Sequence, residues 1–313
     1  PVLFPCSDAD ALYLDMHYAE LKEKTYCPNL NGKADFFMSK ENMCALAKQC
    51  GFNVPETQSL KIFEENKVGL KAFPLPFIIK PQKSIDGPKS DIMICRNESD
   101  IETAIDFFFD RSKKYDSILI QQYVEGKESV MVEYCGCKTK DYKVHLFGQL
   151  EKIREYPINR GSTSYAVIKK DTTYIDFDML DKMLGLFSFE GLFDLEFKVV
   201  DGLPYFLEIN FRNGAPAYGF TVAGFNVPYV WFCEQIKFER KIIKEMSEIK
   251  LICDREDLSH VLDKNITPLK WLRDIRAADT MMVFNKQDKK PFQELYGIIP
   301  TSILSLARIT KQR

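Results

Sequence analysis

The sequence lacks the features that mark several classes of protein. No apolar run approaches the ~20 residues needed to span a bilayer, and no basic-then-apolar leader stands at its start. The net charge is -2, with neither a broad excess of basic residues nor a polyacidic tail. We therefore expect a cytoplasmic protein without membrane insertion and without a nucleic-acid partner.

Metal-binding and disulfide patterns of cysteine are also missing. The closest two of the nine cysteines, Cys135 and Cys137, have a single residue between them, which fits neither a zinc site nor a disulfide framework. Reduced, mostly buried thiols are therefore expected. Internal repeats and low-complexity segments are absent too. Because the chain begins at Pro1 on an apolar run, we expect it to be a fragment with sequence missing upstream.

The segment from residue 193 to residue 212 carries the clearest pattern among the features that are present. It contains two extended runs, 193–200 and 205–210, joined by the turn-forming sequence Asp-Gly-Leu-Pro. Short connections of this composition favour an antiparallel hairpin. The hairpin is otherwise rich in phenylalanine, leucine and isoleucine, so its few polar residues stand out.

Four oxygen-bearing side chains fall at strand spacing in this hairpin. Asp194 and Glu196 are two residues apart and share a face, and Glu208 and Asn210 repeat that spacing on the partner strand. Carboxylate and amide oxygens of this kind suit Mg²⁺, whose remaining ligands are usually phosphates and water. A solvated acidic face is the alternative interpretation of the same residues.

A lysine ends an earlier apolar strand. The run 77–81 reads Phe-Ile-Ile-Lys-Pro, which places Lys80 at the edge of a sheet because Pro81 cannot donate to a strand ladder. The polar loop 82–90 follows and includes Ser84. Its amides and ammonium groups could close over phosphates, although a solvated hairpin loop explains the loop equally well.

The predicted strand 117–124 runs into a Glu-Gly turn. Backbone groups at such a strand end could receive a flat base such as adenine, and Glu128 could then accept hydrogen bonds from a ribose. A plain β-connection is the alternative. Farther along, Lys152 and Arg154 share a face of a strand pair over 142–155, broken near Gly148, and could handle anionic groups.

Helical periodicity supplies the remaining elements. Ser7 is a reasonable N-cap for the first helix, and Gly51 is placed to end the second at its C′ position. Residues 251–313 mix short helical and strand-like pieces to which we assign no chemistry. The predicted helices cover residues 8–24, 41–50, 59–66, 98–113, 177–187 and 228–249.

Five short motifs stand in order from residue 39 to residue 212. They are Ser-Lys-Glu at 39–41, Phe-Ile-Ile-Lys-Pro at 77–81, Gln-Gln-Tyr-Val-Glu-Gly-Lys-Glu at 121–128, Glu-Phe at 196–197 and Glu-Ile-Asn-Phe-Arg at 208–212. In this order they resemble the ATP-grasp superfamily, and within it the carboxylate–amine ligase branch that includes D-aspartate ligase-like and carbamoyl-phosphate-synthase-like proteins. The resemblance covers over half of the chain.

The resemblance implies a nucleotide site. Lys40, Lys80 and Ser84 would contact the phosphates of ATP, and Glu128 would hold the ribose. The adenine site would be lined by Gln121, Gln122, Tyr123 and Val124. The family often has a glutamate where this chain has Gln121, which weakens the assignment of base recognition.

The resemblance also implies a metal site and catalytic cations. Glu196, Glu208 and Asn210 would hold Mg²⁺, as one ion or two, with Mn²⁺ as an alternative metal. Arg212 would stabilise the transferring phosphoryl group, and Arg154 would face the acyl phosphate or the substrate carboxylate. Asp194 would then serve a structural role behind the metal.

The implied fold is α+β: an ATP-grasp fold, in which two α+β subdomains clamp ATP, preceded by a truncated Rossmann-like remnant. Residues 1–35 would be the remnant, 36–135 the N-terminal subdomain, 136–250 the C-terminal subdomain and 251–313 an extension. The implied activity is ATP-dependent amide formation between a small-molecule carboxylate and an amine through an acyl phosphate. A homodimer is a possible assembly, although the sequence does not reveal the number of subunits. Because the preceding domain helps select substrates, the fragment is expected to bind nucleotide yet turn over poorly.

Two other functions are weighed against this one. A nucleotide-binding module with a regulatory or assembly role would tolerate loss of the metal ligands and of Arg212, all of which are present. Phosphotransfer through a phosphohistidine-bearing partner domain is disfavoured, because His17, His145 and His260 are the only histidines and no such domain is visible.

Overall fold

The structure is a computed structural model that describes residues 1–62, 67–83, 86–87, 91–109, 115–141, 143–239 and 245–296. Its helices are α1 (Asp8–Met16), α2 (Tyr18–Leu21), α3 (Ala34–Phe37), α4 (Lys40–Cys50), α5 (Lys67–Ala72), α6 (Glu98–Phe108), α7 (Phe177–Leu186), α8 (Ala217–Ala223), α9 (Val227–Ile236), α10 (Asp254–Leu262), α11 (Pro268–Ala277) and α12 (Lys290–Tyr296). Its strands are β1 (Thr57–Lys61), β2 (Phe77–Pro81), β3 (Met93–Cys95), β4 (Ser117–Gln122), β5 (Ser129–Lys138), β6 (Val144–Leu146), β7 (Gln149–Tyr156), β8 (Ser162–Lys169), β9 (Gly191–Val200), β10 (Leu203–Asn210), β11 (Ile249–Ile252) and β12 (Thr280–Met281).

A four-stranded antiparallel sheet has the order β1-β4-β2-β3. Side chains of α5 and α6 pack with those of the sheet in one apolar core. Strand β2 alternates in burial, so Phe77 and Ile79 enter this core while Ile78 and Lys80 lie on the opposite face. The alternation therefore directs Lys80 away from the helices.

An eight-stranded sheet follows, with the order β10-β9-β5-β7-β8-β11-β12 and with β6 paired to β5. Helices α4 and α7 contribute to the apolar core on one face. Helices α8 and α9 contribute to a second core, which includes Phe220 and Trp231. Because both faces of its central strands are covered, β9 is buried along almost its whole length.

The predicted hairpin is confirmed as the antiparallel pair of β9 and β10. Phe193, Leu195 and Phe197 pack into the core shared with α4 and α7, so Asp194 and Glu196 lie on the other face. A β-bulge interrupts the register between Phe206 and Glu208. This extra residue lets Phe206 pair with Phe197 in the core while Glu208 pairs with Glu196, on the face that carries the carboxylates.

The residues predicted to begin the first helix and to end the second are confirmed. Ser7 accepts a hydrogen bond from the backbone N–H of Asp10, whose side chain completes a capping box. Gly51 follows α4 with a φ of 110°, a left-handed conformation that a residue with a Cβ rarely adopts. Asn97 caps α6, because its side chain accepts a hydrogen bond from the backbone N–H of Asp100.

Three helix predictions need correction. The segment predicted as a helix over 59–66 instead contributes to β1, because its backbone pairs with β4; residues 63–66 lie outside the described ranges. The helix predicted over 228–249 ends at Ile236, where Lys237 is left-handed, and Ile249 begins a strand. The helix predicted over 8–24 is interrupted at His17.

The C-terminal part of the described chain completes the larger sheet. Strand β11 pairs antiparallel with β8 and parallel with β12. Helix α10 packs near β7 and β8, and α11 adds Trp271 and Ile275 to an apolar cluster that includes Tyr165. No helix among the described residues is both long and apolar enough to cross a bilayer.

Candidate active site

A cavity of about 500 Å³ is lined by residues of both sheets. The smaller sheet contributes Ile78 and Lys80 from β2, and the larger sheet contributes Lys152 and Glu196 from β7 and β9. The predicted site residues that the structure brings together in this cavity are Lys40, Lys80, Gln121, Gln122, Tyr123, Val124, Arg154, Glu196 and Glu208.

Lys40 opens α4 and reaches the hairpin. Its Nζ lies 3.3 Å from Oε2 of Glu208, and its side chain is only 8% exposed. The start of α4 is in turn joined to the residue that follows β2, because the backbone N–H of Lys40 donates to the carbonyl of Gln82 at 3.3 Å. A buried cation is thus held directly against a predicted metal ligand.

Lys80 approaches the same region from the smaller sheet. Its Nζ donates to Oε1 of Gln121 at 2.9 Å, and Gln121 donates to Oγ1 of Thr57 at 2.9 Å. Burial lowers the pKa of Lys80, and the charge of Lys40 lowers it further, whereas Glu208 opposes this shift. An incoming polyanion would stabilise the charged form of Lys80.

Lys152 is a third buried cation, and its environment was not predicted. Its Nζ lies 2.7 Å from Oε1 of Glu133 and 3.2 Å from Oε2 of Glu196. Burial alone would lower the pKa of Lys152, but Glu133 and Glu196 outweigh burial and raise it. Glu133 itself accepts a hydrogen bond from Oγ1 of Thr163 at 3.0 Å. The sequence could not reveal this cluster, because its members come from four separate strands.

Asn210 and Arg212 lie outside the main cavity. A much smaller cavity of about 10 Å³ is lined by Asp8, Glu208 and Asn210 among others. Arg212 lies 3.2 Å from Oδ1 of Asp8 and 3.3 Å from Oδ2 of Asp194. Burial raises the pKa of Asp194, and nearby Glu133 and Glu196 add to the shift.

The donor set of the hairpin fits a hard cation. Glu196 and Glu208 are directly paired on neighbouring strands, and Asn210 follows at the same face. The buried Nδ2 atom of Asn210 lacks a hydrogen-bond partner among the described residues. No group of three or more histidine, cysteine or acidic side chains in those ranges is arranged to hold a metal by itself. Glu196, Glu208 and Asn210 could supply two carboxylates and an amide oxygen, and phosphates and water would have to complete the coordination.

The end of β4 forms an apolar and aromatic part of the cavity. Nζ of Lys198 lies 4.0 Å from the ring centroid of Tyr123, and the guanidinium of Arg96 lies 5.1 Å from the same centroid. Val124 is buried beside them. Lys198 was missed by sequence reasoning, although it continues the alternation of Asp194 and Glu196 along β9.

Glu128, the predicted ribose ligand, is exposed and does not line the main cavity. Its backbone N–H donates to Oδ1 of Asp201 at 3.0 Å, at the turn between β9 and β10. Ser129, the next residue, does line the cavity. Ser84, predicted to contact phosphates, lies outside the described residues.

Arg154 lines the cavity but is held by two carboxylates. It donates from Nε and Nη2 to Asp257 at 3.0 and 2.9 Å, and from Nη1 to Asp274 at 2.5 Å. Its guanidinium also lies 4.6 Å from the ring centroid of Tyr165. Asp257 and Asp274 belong to α10 and α11, for which the sequence predicted no chemistry.

Comparisons with known proteins find ligases among the relatives of this chain. The chain is 22% identical over 239 residues to D-aspartate ligase of Enterococcus faecium, which covers 72% of this chain and 56% of that protein. It is 25% identical over 198 residues to D-alanine–D-alanine ligase of Flavobacterium psychrophilum, which covers 57% of this chain and 55% of that protein. The chain thus spans about half the length of these curated relatives. No protein-family model matches it.

Among solved structures, the fold is similar to an ADP complex of N5-carboxyaminoimidazole ribonucleotide synthetase. The TM-score is 0.64 at 12% sequence identity, over 84% of this chain and 68% of that one. Likeness at this level of identity shows the fold. The predicted fold class is therefore confirmed, whereas the Rossmann-like remnant and the four segment boundaries remain predictions.

Proposed function

We propose that this chain, which has the ATP-grasp fold, belongs to an ATP-dependent ligase that joins a carboxylate to an amine. One observation carries the proposal: a single cavity gathers Lys40, Lys80 and Lys152 around the paired carboxylates Glu196 and Glu208. Three cations and two acidic oxygen donors in one cavity suit a nucleoside triphosphate with its metal. The ligase relatives support the same reaction class.

The cavity offers separate regions for the parts of ATP. We assign the adenine to the end of β4, where Tyr123 and Val124 supply aromatic and apolar surface and the backbone supplies polar groups. The triphosphate would lie against Lys40 and Lys80. Because burial and Lys40 lower the pKa of Lys80, a bound phosphate would relieve the repulsion between the two ammonium groups.

Glu196, Glu208 and Asn210 would hold Mg²⁺, as one ion or two, with Mn²⁺ as an alternative. Bound there, the metal would neutralise charge on the phosphate oxygens during phosphoryl transfer. Lys152 pairs with Glu196 and Lys40 pairs with Glu208, and these ion pairs hold both carboxylates in the cavity.

The proposed reaction has two steps. The γ-phosphoryl group passes to the carboxylate of the acid, which gives ADP and an acyl phosphate. The amine nitrogen then attacks the acyl carbon and loses a proton, a C–N bond forms, and inorganic phosphate leaves. The buried lysines supply fixed positive charge where negative charge spreads over the phosphoryl oxygens, which is the main protein contribution to this class of transfer.

The experiment is release of ADP and phosphate from Mg-ATP with a panel of carboxylates and amines. Glu208→Gln is expected to lower turnover at least about 100-fold, because it removes a charged metal ligand. Lys80→Ala is expected to weaken ATP binding at least about tenfold, because a charge-assisted contact is lost. Glu234→Gln and Lys48→Ala remove matched charges at exposed positions and serve as controls.

Each outcome distinguishes the proposal from its alternative. Unchanged turnover in Glu208→Gln would remove this residue from the metal site, and equal ATP affinity in Lys80→Ala would contradict the phosphate assignment. Tight ATP binding without turnover for any pair of substrates would instead favour a nucleotide-binding module with a regulatory or assembly role. A homodimer remains a prediction.

A further inference from the structure

One end of the cavity is apolar and lies apart from the lysines that we assign to phosphate. We name it the isoleucine end and define it by Ile153, Ile158, Arg160, Asn265 and Ile266, all of which line the cavity. Ile153 is 48% exposed although it lies in the middle of β7, and Ile158 is 50% exposed. Two large apolar side chains that face a cavity rather than a core indicate that the ligand has an apolar part.

A β-bulge explains why Ile153 faces the cavity. The register of β7 against β8 shifts between Lys152 and Arg154 and again between Arg154 and Glu155. Such irregularities re-aim side chains next to sites. As a result, Lys152, Ile153 and Arg154 all line the cavity, although strict strand alternation would turn Ile153 away.

Arg160 is the cation of the isoleucine end that remains available to a ligand. Its Nη1 donates to the backbone carbonyl of Ile92, which leaves further guanidinium donors. No carboxylate in the described part of the chain pairs with Arg160, whereas Arg154 is held by both Asp257 and Asp274. A substrate carboxylate would therefore find its partner in Arg160, because Arg154 is already neutralised.

The loop that carries Arg160 is closely folded. A Cβ placed on Gly161 would lie 2.0 Å from the carbonyl carbon of Tyr156, so only glycine fits there. Asn159 adopts a left-handed φ of 65°, and the backbone N–H of Arg160 donates to the carbonyl of Pro157 at 3.3 Å. The loop therefore presents Arg160 in a defined position beside Ile158.

Glu155 on β7, two residues after Ile153, also lines the cavity. Asp263, just after α10, accepts from the hydroxyl of Tyr156 at 2.7 Å, and Asp257 on α10 and Asp274 on α11 are paired with Arg154. A second carboxylate on a ligand would meet Glu155 after the first had used Arg160. An acidic side chain is thus disfavoured by charge, and an apolar one is favoured by the isoleucines.

We propose that the isoleucine end binds an amino-acid substrate with an apolar side chain, whose α-carboxylate contacts Arg160 and whose side chain packs against Ile153, Ile158 and Ile266. The inference rests on the proposed function and narrows its substrate class. It distinguishes this chain from its relative named for aspartate, because Arg160 is the single lysine or arginine among the five residues that define this end, and the neighbouring Arg154 is paired with Asp257 and Asp274.

The test measures equilibrium binding in the presence of Mg-ADP, so it does not require turnover. The probes are leucine in both enantiomers, leucinamide, which lacks the carboxylate, and aspartate. One enantiomer of leucine is expected to bind at least about tenfold more tightly than leucinamide or aspartate. Arg160→Gln should weaken leucine binding about 10- to 100-fold and abolish its advantage over leucinamide, as expected for a lost contact to a charged group.

Two further variants sharpen the result. Ile158→Ala should weaken leucine and leucinamide alike by about 3- to 10-fold, because it removes apolar contact without touching the carboxylate. Arg276→Gln removes an exposed arginine of α11 and should leave all probes unaffected. Circular dichroism and the melting temperature show whether each variant folds.

The outcomes separate this inference from the function on which it rests. Equal binding of leucine and leucinamide, or tighter binding of aspartate, would overturn the inference while ligase activity could still stand. A loss of ATP affinity in Arg160→Gln, with leucine binding unchanged, would place this arginine with the phosphates. Leucine binding as described, without ADP formation from any substrate pair, would support this inference and contradict the proposed reaction.

Discussion

Replacing Arg154 by leucine tests whether this residue has a structural role that the sequence did not suggest. Its side chain is 12% exposed and makes three hydrogen bonds to Asp257 and Asp274, whose side chains are 0% and 16% exposed. Arg154→Leu leaves the fully buried Asp257 without its cation, whereas Asp274 keeps Lys270, whose Nζ lies 3.3 Å from its Oδ2. Removing one partner of a buried ion pair typically costs about 3–5 kcal/mol, because the remaining charge stays desolvated.

The melting temperature gives a measurable form of this loss. Unfolding entropy of about 2.1 cal/mol/K per residue, over 313 residues, amounts to about 0.66 kcal/mol/K. A loss of 3–5 kcal/mol therefore lowers the melting temperature by about 5–8 °C. Differential scanning calorimetry measures the shift, and Arg276→Leu, at an exposed position of α11, serves as the matched control.

A double variant separates unpaired charge from lost packing. Adding Asp257→Asn to Arg154→Leu removes the buried charge that has lost its cation and should recover about 1–2 kcal/mol of the loss. A melting temperature of Arg154→Leu within 1 °C of the parent protein, combined with lost turnover, would refute this reasoning. It would restore the original prediction that Arg154 contacts the acyl phosphate or the substrate carboxylate.

Two other predictions concern stability. The buried carboxylate of Asp15 accepts hydrogen bonds from the backbone N–H groups of Leu30, Gly32 and Ala34 at 2.5, 3.2 and 2.8 Å. Asp15→Ala should therefore lower the free energy of unfolding, measured by urea denaturation, by about 2–4 kcal/mol. The control Asp178→Ala should not lower it, and equal losses in the two variants would contradict this role of Asp15. Burial raises the pKa of Asp254 to about 6, so its ionisation is less favourable in the folded state and the parent protein loses stability as pH rises from about 4 through 6. Asp254→Asn lacks this loss, so its stability relative to the parent should rise by about 1–3 kcal/mol between pH 4.5 and 7.5; a pH-independent difference would contradict the shift.

The site could be predicted from sequence where its residues lie close together along the chain. Strand alternation, a turn-forming connection and the spacing of Glu196 and Glu208 identified the hairpin, and the apolar run before Lys80 identified β2. These signals are local, because side-chain direction on a strand follows from the backbone alone. Ordered motifs then identified the fold, although no single motif was specific.

Secondary-structure prediction failed where pairing with a distant strand outweighs the helical preference of the segment itself. The segment that begins at Ser59 has a helical pattern of apolar residues but forms the end of β1, because its backbone pairs with β4. The segment after Ile236 keeps a helical pattern, yet Lys237 turns left-handed and Ile249 joins β8. Hydrogen bonds to a neighbouring strand satisfied the backbone in a way that the sequence of one segment does not display.

The sequence by itself determined which residue types stand on the hairpin and beside it: carboxylates at Glu196 and Glu208, and cations at Lys40 and Lys80. Only the tertiary structure decided how they pair. The bulge at β10 brings Glu208 opposite Glu196, and the order of strands brings Lys152 between Glu133 and Glu196. The tertiary structure likewise pairs Arg154 with Asp257 of α10 and Asp274 of α11. The interaction energy of two charges depends on their distance in space, and charged residues far apart in the chain come close only after the sheets have formed.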